Sequence, residues 1–275
     1  MGLRLNKLAV LGGLINLLVV VDAMAGDKAG PLVIGETFTV ESKILGETRR
    51  INVYLPPDYG QAADVRLPVL YMPDGGISED FLHMAGLVQV SSGNRTIRPC
   101  LLVGIENTQR RRDLTGPTEV ADDRKIAKVV GGSESFRKFL RLELMPDIRQ
   151  RYRTTGETAV IGESLAGLFV VETFLLEPDL FDTYIAIDPS LWWNDHNLVR
   201  QAGDLLKAQP RTRKTLALAS SDEKTIAGLS QTLADTLDRE SPTGLNWRYY
   251  KFPEESHATI FHPAALKACR SVFKP

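Results

Sequence analysis

Residues 160–168 read V-I-G-E-S-L-A-G-L. An apolar run ends in a single hydroxyl, Ser164, with Gly162 two places before it, Ala166 two places after it and Gly167 directly beyond. The pattern follows G-x-S-x-G, in which a sharp strand-to-helix turn exposes the serine and small neighbours let strand and helix approach each other. Ala166 departs from the motif yet remains small. A serine in this place could instead simply cap the next helix. The two readings separate only when the whole chain is considered.

Working outward, short apolar or alternating runs bounded by Gly, Pro, Asp or Ser recur as strands should. Strands are predicted at 37–41, 50–55, 67–72, 100–105, 159–162, 184–187, 215–219 and 247–252. The first two alternate polar and apolar residues like a half-exposed hairpin, and the middle ones are continuously apolar, like strands covered on both faces. Between them lie helical patterns. Phe136, Phe139, Leu140 and Leu144 fall on one stripe of 135–148, with Pro146 placed to bend or restart that helix. The run after Ser164 is apolar nearly all round, as in a buried helix. An amphipathic run covers 226–237, and a last helix begins near Pro263. A hairpin and then alternating strands and helices predict an α/β fold, with a mostly parallel eight-stranded sheet and helices on both faces. Two irregular stretches, 106–133 and 189–212, interrupt the pattern, and long loops in a compact domain commonly carry function.

The chain of 275 residues carries a formal net charge of -1. That balance argues against nucleic acid as a partner. Arg4 and Lys7 precede an apolar run and then A-M-A at 23–25, which together describe a secretory signal peptide over residues 1–25. The run from Leu8 to Val21 contains Asn16 and falls short of the roughly 20 residues a membrane span needs, so no stable membrane insertion is expected after cleavage. Residues 26–275 then form a single exported domain, periplasmic or secreted. The two cysteines, Cys100 and Cys269, sit in core-like contexts. Export permits a bridge between them, and burial as free thiols is equally compatible with those contexts. With four scattered histidines they offer no metal-ligand spacing.

In open parallel sheets the site lies beyond the carboxyl ends of the strands. At those ends this sequence places P-D-G-G-I at 73–77, Ser164, S-S-D-E at 220–223 and P-E-E-S-H at 253–257. A serine, then Asp222 or Glu223, then His257 is the α/β-hydrolase order. Serine is a poor nucleophile until an imidazole takes its proton, and a carboxylate fixes the tautomer of that imidazole. His262 is the rival to His257 but is placed to open the last helix, and Glu254 and Glu255 are read as solvent-facing. His83 reads as a helix-face residue, and His196 lies in the irregular loop beside Trp192 and Trp193. The oxyanion of acyl transfer needs N–H donors. Leu165 supplies one, and the glycine loop another, Gly76 ahead of Ile77. Trp192 and Trp193 come after the sixth strand at the same edge and would wall the acyl or alcohol group, or else pack their loop on the core. No cofactor is required.

Seven segments in this order resemble the putative esterase family of α/β-hydrolases, which includes esterase D, secreted mycolyltransferases and ferric-enterobactin esterases. They are V-Y-L-P-P-D-Y (53–59), L-Y-M-P-D-G-G (70–76), V-G-I-E-N (103–107), R-R-D-L-T (111–115), I-G-E-S-L-A-G-L-F (161–169), D-P-S-L-W-W (188–193) and P-E-E-S-H (253–257). The likeness runs from about Thr37 to the end and is greatest with the siderophore-esterase branch. It implies an α/β-hydrolase fold and a serine hydrolase of small-molecule esters, with Ser164 as nucleophile and His257 as base. It also favours Glu223 over Asp222, although some siderophore-esterase relatives resemble Ser-His dyads in which the acid is dispensable. It places Arg112 and Asp113 near substrate; as a charge run, 110–112 reads equally as a solvated loop. Besides an ester hydrolase, the same residues admit an acyltransferase or, on fold alone, a non-catalytic binding protein.

Overall fold

Val69 and Tyr71 belong to one hydrophobic core, while their neighbours Leu70 and Met72 belong to another. That alternation is the two-residue period of a strand buried on both faces. The computed structural model describes residues 29–209, 211 and 213–275; the predicted signal peptide, 1–25, lies outside the described residues. Ile34–Pro275 form one compact unit.

The strands are β1 (Glu36–Ser42), β2 (Glu47–Tyr54), β3 (Leu67–Pro73), β4 (Leu101–Ile105), β5 (Thr154–Glu163), β6 (Thr183–Ile187), β7 (Thr215–Ser220) and β8 (Asn246–Lys251). The helices are α1 (Phe81–Gly93), α2 (Arg110–Asp113), α3 (Ser133–Phe139), α4 (Met145–Arg151), α5 (Leu165–Leu176), α6 (Trp193–Ala208), α7 (Lys224–Glu240) and α8 (Phe261–Val272). The sheet order is β1-β2-β4-β3-β5-β6-β7-β8. β1 and β2 form the antiparallel hairpin, β2 runs antiparallel to β4, and the remaining pairs are parallel. This is the predicted α/β-hydrolase fold.

The second core seats Phe81, Met84 and Val88 of α1 beside Ala264 and Ala268 of α8. The first seats Phe136 and Phe139 of α3, most of α5, and Leu206, Leu233 and Leu237 of α6 and α7. Helix α5 is buried from Leu165 to Leu175, matching a sequence that is apolar except for Glu172 and Thr173. Pro146 restarts its helix as expected. A π-helical turn at Leu140–Leu144 precedes α4 and leaves Pro146 in the opening turn of α4, where a missing N–H breaks no hydrogen bond.

The stretch 189–212 is less irregular than its sequence suggests, because α6 fills most of it. Its amphipathic pattern is masked at the start by Asn194, Asp195 and His196, all with φ between 50° and 61°, in the left-handed region that side chains rarely adopt. The other stretch, 106–133, holds only α2 and one 3₁₀ turn at Asp123–Lys125. Cys100 and Cys269 are both buried free thiols. No helix among the described residues is long and apolar enough to cross a membrane.

Candidate active site

β5 ends at Glu163 and α5 begins at Leu165, leaving Ser164 alone at the corner with φ 58° and ψ −119°. A non-glycine residue holds such a conformation only where its surroundings over-determine it. Packing across the turn does so here. A Cβ on Gly162 would come within 2.6 Å of the Ala166 backbone and 2.7 Å of its Cβ. The bare face of Gly162 is what admits Ala in place of the motif's second glycine.

Oγ of Ser164 lies 3.2 Å from Nε2 of His257, and Nδ1 of His257 lies 2.7 Å from Oδ2 of Asp188. A carboxylate only accepts, so Nδ1 carries the proton and Nε2 is left to accept from Ser164. Asp188 comes directly after β6 and is fully buried. Ser221 donates its N–H to Oδ1 and its hydroxyl to Oδ2 of the same carboxylate. Burial is thus matched by three hydrogen bonds, as a charged group inside a protein requires.

The carboxylate on His257 therefore comes from β6, and neither residue expected after β7 supplies it. Glu223 is the N-cap of α7 and accepts from the Ile226 N–H at 2.6 Å, which turns its side chain toward the helix. Asp222 is exposed, its backbone tied to the Glu255 carbonyl. D-P-S at 188–190 could have pointed to the acid, since it comes after an apolar strand just as Ser164 does. Ser190 was also missed. It is buried, donates its N–H to the Ser164 carbonyl and lies 3.3 Å from Ser164 Oγ. His262 is held elsewhere, 2.6 Å from His83.

The hydrogen bond to Asp188 holds the His257 imidazole above its ordinary pKa; burial opposes the shift, while the Asp188, Glu163 and Glu223 charges reinforce it. Burial pushes Glu163, directly before Ser164, up to about 7.

Leu165 opens α5, where the first N–H groups of a helix have no intrahelical acceptor. The other expected donor is already engaged. The Gly76 N–H donates to Oε2 of Glu79 at 2.7 Å, because the turn closed by the Glu79 N–H on the Gly76 carbonyl folds that side chain back.

The contacts of Arg112 and Asp113 run to each other, to Arg49 and to the hairpin. Asp113 is fully buried and accepts from Arg49 at 2.5 Å and from Arg112 at 2.7 Å. Arg112 also bonds Glu47 of the hairpin; burial raises the Glu47 carboxyl, but the hydrogen bonds from Arg112, Thr108 and Arg49 prevail and lower it to about 2. Arg110 is clamped on Asp74 and Arg111 donates to the Ile126 carbonyl, so local contacts absorb this charge run. Trp193 is buried, with Nε1 donating to the Gly116 carbonyl. It packs edge-on against Trp192 and lines a cavity of about 290 Å³ with Leu168 and Leu198. Trp193 thereby ties its loop to the segment at Gly116. Among the described residues no group of three or more His, Cys, Asp or Glu is placed to hold a metal ion.

A serine on a strand-to-helix corner, contacting a histidine backed by a buried aspartate on a sheet of this order, defines an α/β-hydrolase of the esterase class. Residues 42–258 match the family described as "Putative esterase", and the chain belongs to it. It is 25% identical over 251 residues to the ferri-bacillibactin esterase BesA of Bacillus subtilis, covering 83% of this chain and 86% of that one. It is 23% identical to the iron(III) salmochelin esterase of Escherichia coli over 72% of this chain, spanning only 48% of that relative. Among solved structures, an IroE-like serine hydrolase from Shewanella oneidensis superposes with a TM-score of 0.80 at 28% identity, covering 87% of this chain and 80% of that one.

Proposed function

We propose that this chain is an exported serine esterase that cleaves a siderophore-type carboxylic ester through an acyl-enzyme on Ser164. The observation that carries the reading is the unbroken contact from Ser164 through His257 to Asp188. In the first step His257 Nε2 takes the Ser164 proton as Oγ attacks the ester carbonyl, and Asp188 stabilises the imidazolium. The Leu165 N–H, at the positive end of α5, receives the oxyanion. Collapse breaks the ester C–O bond, and the alcohol leaves with the proton from His257. A water activated by the same imidazole then releases the acid and restores Ser164.

Two features support the substrate class and the hydrolytic outcome. The relatives are named for siderophore esters. The His257 side chain is 42% exposed, which leaves room for a bulky ester and lets water reach the base, favouring hydrolysis over transfer to another alcohol. Export rests on the basic start, apolar run and A-x-A site of residues 1–25.

Intact-mass measurement after a fluorophosphonate tests the nucleophile. One adduct is expected on the wild type and none on Ser164→Ala; equal labelling of both would sink the assignment. In a panel of esters, cleavage of a siderophore ester is expected, and the mature mass should lack the first 25 residues.

A further inference from the structure

The amide of Gly76 sits on the loop after β3, where α/β-hydrolases place the second donor of the oxyanion hole. In this chain an anion already occupies it. Glu79 Oε2 accepts the Gly76 N–H at 2.7 Å, while Oε1 accepts from the Asn107 side chain at 2.9 Å and its N–H at 3.4 Å. Asn107 also donates to Asp74 at 2.5 Å, and Asp74 is gripped by two nitrogens of Arg110 at 2.6 and 2.8 Å. The arrangement is asymmetric. One oxygen of Glu79 is tethered to the loop after β4, and the other ends on the single amide.

Position 76 is shaped around this contact. A Cβ there would meet Glu79 Oε2 and Glu106 Cγ, each at 2.9 Å. A side chain at 76 would push that carboxylate away.

Resting on the serine-esterase reading above, we propose that Glu79 is a displaceable internal anion. Its carboxylate occupies the Gly76 amide in the free enzyme, and an ester reaching Ser164 gains its second oxyanion donor only by driving that carboxylate off. One N–H cannot serve a carboxylate and an oxyanion fully at once, and two negative oxygens crowded on one donor repel each other. Rotation about the Asn107 anchor breaks the Gly76 contact while keeping the other hydrogen bonds, so displacement leaves the loop in place. The consequence is a site that binds a developing oxyanion weakly until the substrate's remaining contacts hold the ester in position.

The test compares wild type, Glu79→Gln and Glu79→Ala in two measurements. Gly76 amide exchange by NMR reads the contact without any chemistry. Protection is expected to be high in the wild type, reduced in Glu79→Gln and lost in Glu79→Ala, with Leu165 unchanged. The rate of Ser164 phosphonylation reads the competition. It is expected to rise about tenfold in Glu79→Ala, the order of one charge-assisted hydrogen bond, with Glu79→Gln in between. Unchanged Gly76 exchange in Glu79→Ala overturns the contact. Lost protection with slower or equal labelling overturns the competition and leaves Glu79 a brace for the turn. No labelling of any variant overturns the nucleophile assignment and with it the competition, while exchange still decides the contact.

Discussion

Asp188 and His257, 69 residues apart in the chain, meet at 2.7 Å through Oδ2 and Nδ1. With Nδ1–H held by the carboxylate, Nε2 faces Ser164 in the form that can accept its proton. An amide at 188 could present N–H to Nδ1 and reverse the tautomer. Asp188→Asn is therefore expected to lower kcat by roughly a hundredfold to ten-thousandfold. Glu223→Ala should leave kcat within about threefold and cost about 1 kcal/mol of stability through loss of the α7 cap. Steady-state kinetics beside urea unfolding separates the two. A larger kcat loss for Glu223→Ala would return the acid to β7.

The raised pKa of His257 fixes the direction of the acid limb. The imidazole must be neutral to act as base, so activity falls as pH drops through its folded-state pKa, which lies above that of a free imidazole. Replacing Glu163 with Gln removes one of the negative charges that favour the imidazolium. The acid limb of a kcat/KM profile should then move to lower pH; a limb moving up would contradict the electrostatics.

Glu163 makes a second, separate statement about stability. Its folded pKa of about 7 lies above the ordinary 4.5, so the folded state binds the proton more tightly than the unfolded chain. Stability from this group is present below the unfolded value and falls as pH rises from about 4.5 to about 7. Glu163→Gln should therefore raise stability at pH 8, on the order of 2 kcal/mol, and change it little at pH 4. Thermal melts at the two pH values check this.

Gly162→Ala places a methyl 2.6 Å from the Ala166 backbone. Strand and helix must then separate, costing about 1–3 kcal/mol and turning Ser164 away from His257. Calorimetry should show a lowered Tm, and activity per folded molecule should fall by an order of magnitude or more. Ala at 162 with full activity would mean the corner is more pliable than its packing implies.

Arg49 is buried among Asp113, Glu47 and Thr108. Arg49→Met leaves the buried Asp113 carboxylate to Arg112 alone and should cost about 3 kcal/mol. Arg112→Ala, in the same cluster, should leave KM for small esters within about twofold, with part of the stability loss recovered by the remaining Arg49 contact. A tenfold rise in KM would restore Arg112 to the substrate.

The sheet was readable because each central strand is a short apolar run between breakers, and the serine corner because small residues, Gly162 and Ala166, stand two places to either side. Both signals are local. The acid was not readable, since β6 and β7 each end in a segment with a carboxylate. What separates them is depth, fixed by the pairing of Ile187 with Ala219 that puts Asp188 against Ser221. Asn194 to His196 hid the start of α6 by taking a left-handed backbone there, which Asn, Asp and His adopt more readily than other side chains. The D-G-G turn announced a close backbone approach without showing that Glu79, three residues on, folds back into it.

Glu163 and Ile187 face each other across the β5–β6 ladder, and each immediately precedes an active-site residue. Ser164 and Asp188 are thus spaced by adjacent rungs of the sheet, whereas His257 hangs from the segment between β8 and α8. Two members of the set come straight off paired central strands, and the third does not. Warming should uncouple the imidazole while the sheet is still intact, so the enzyme would fall silent, and recover on cooling, several degrees before it melts.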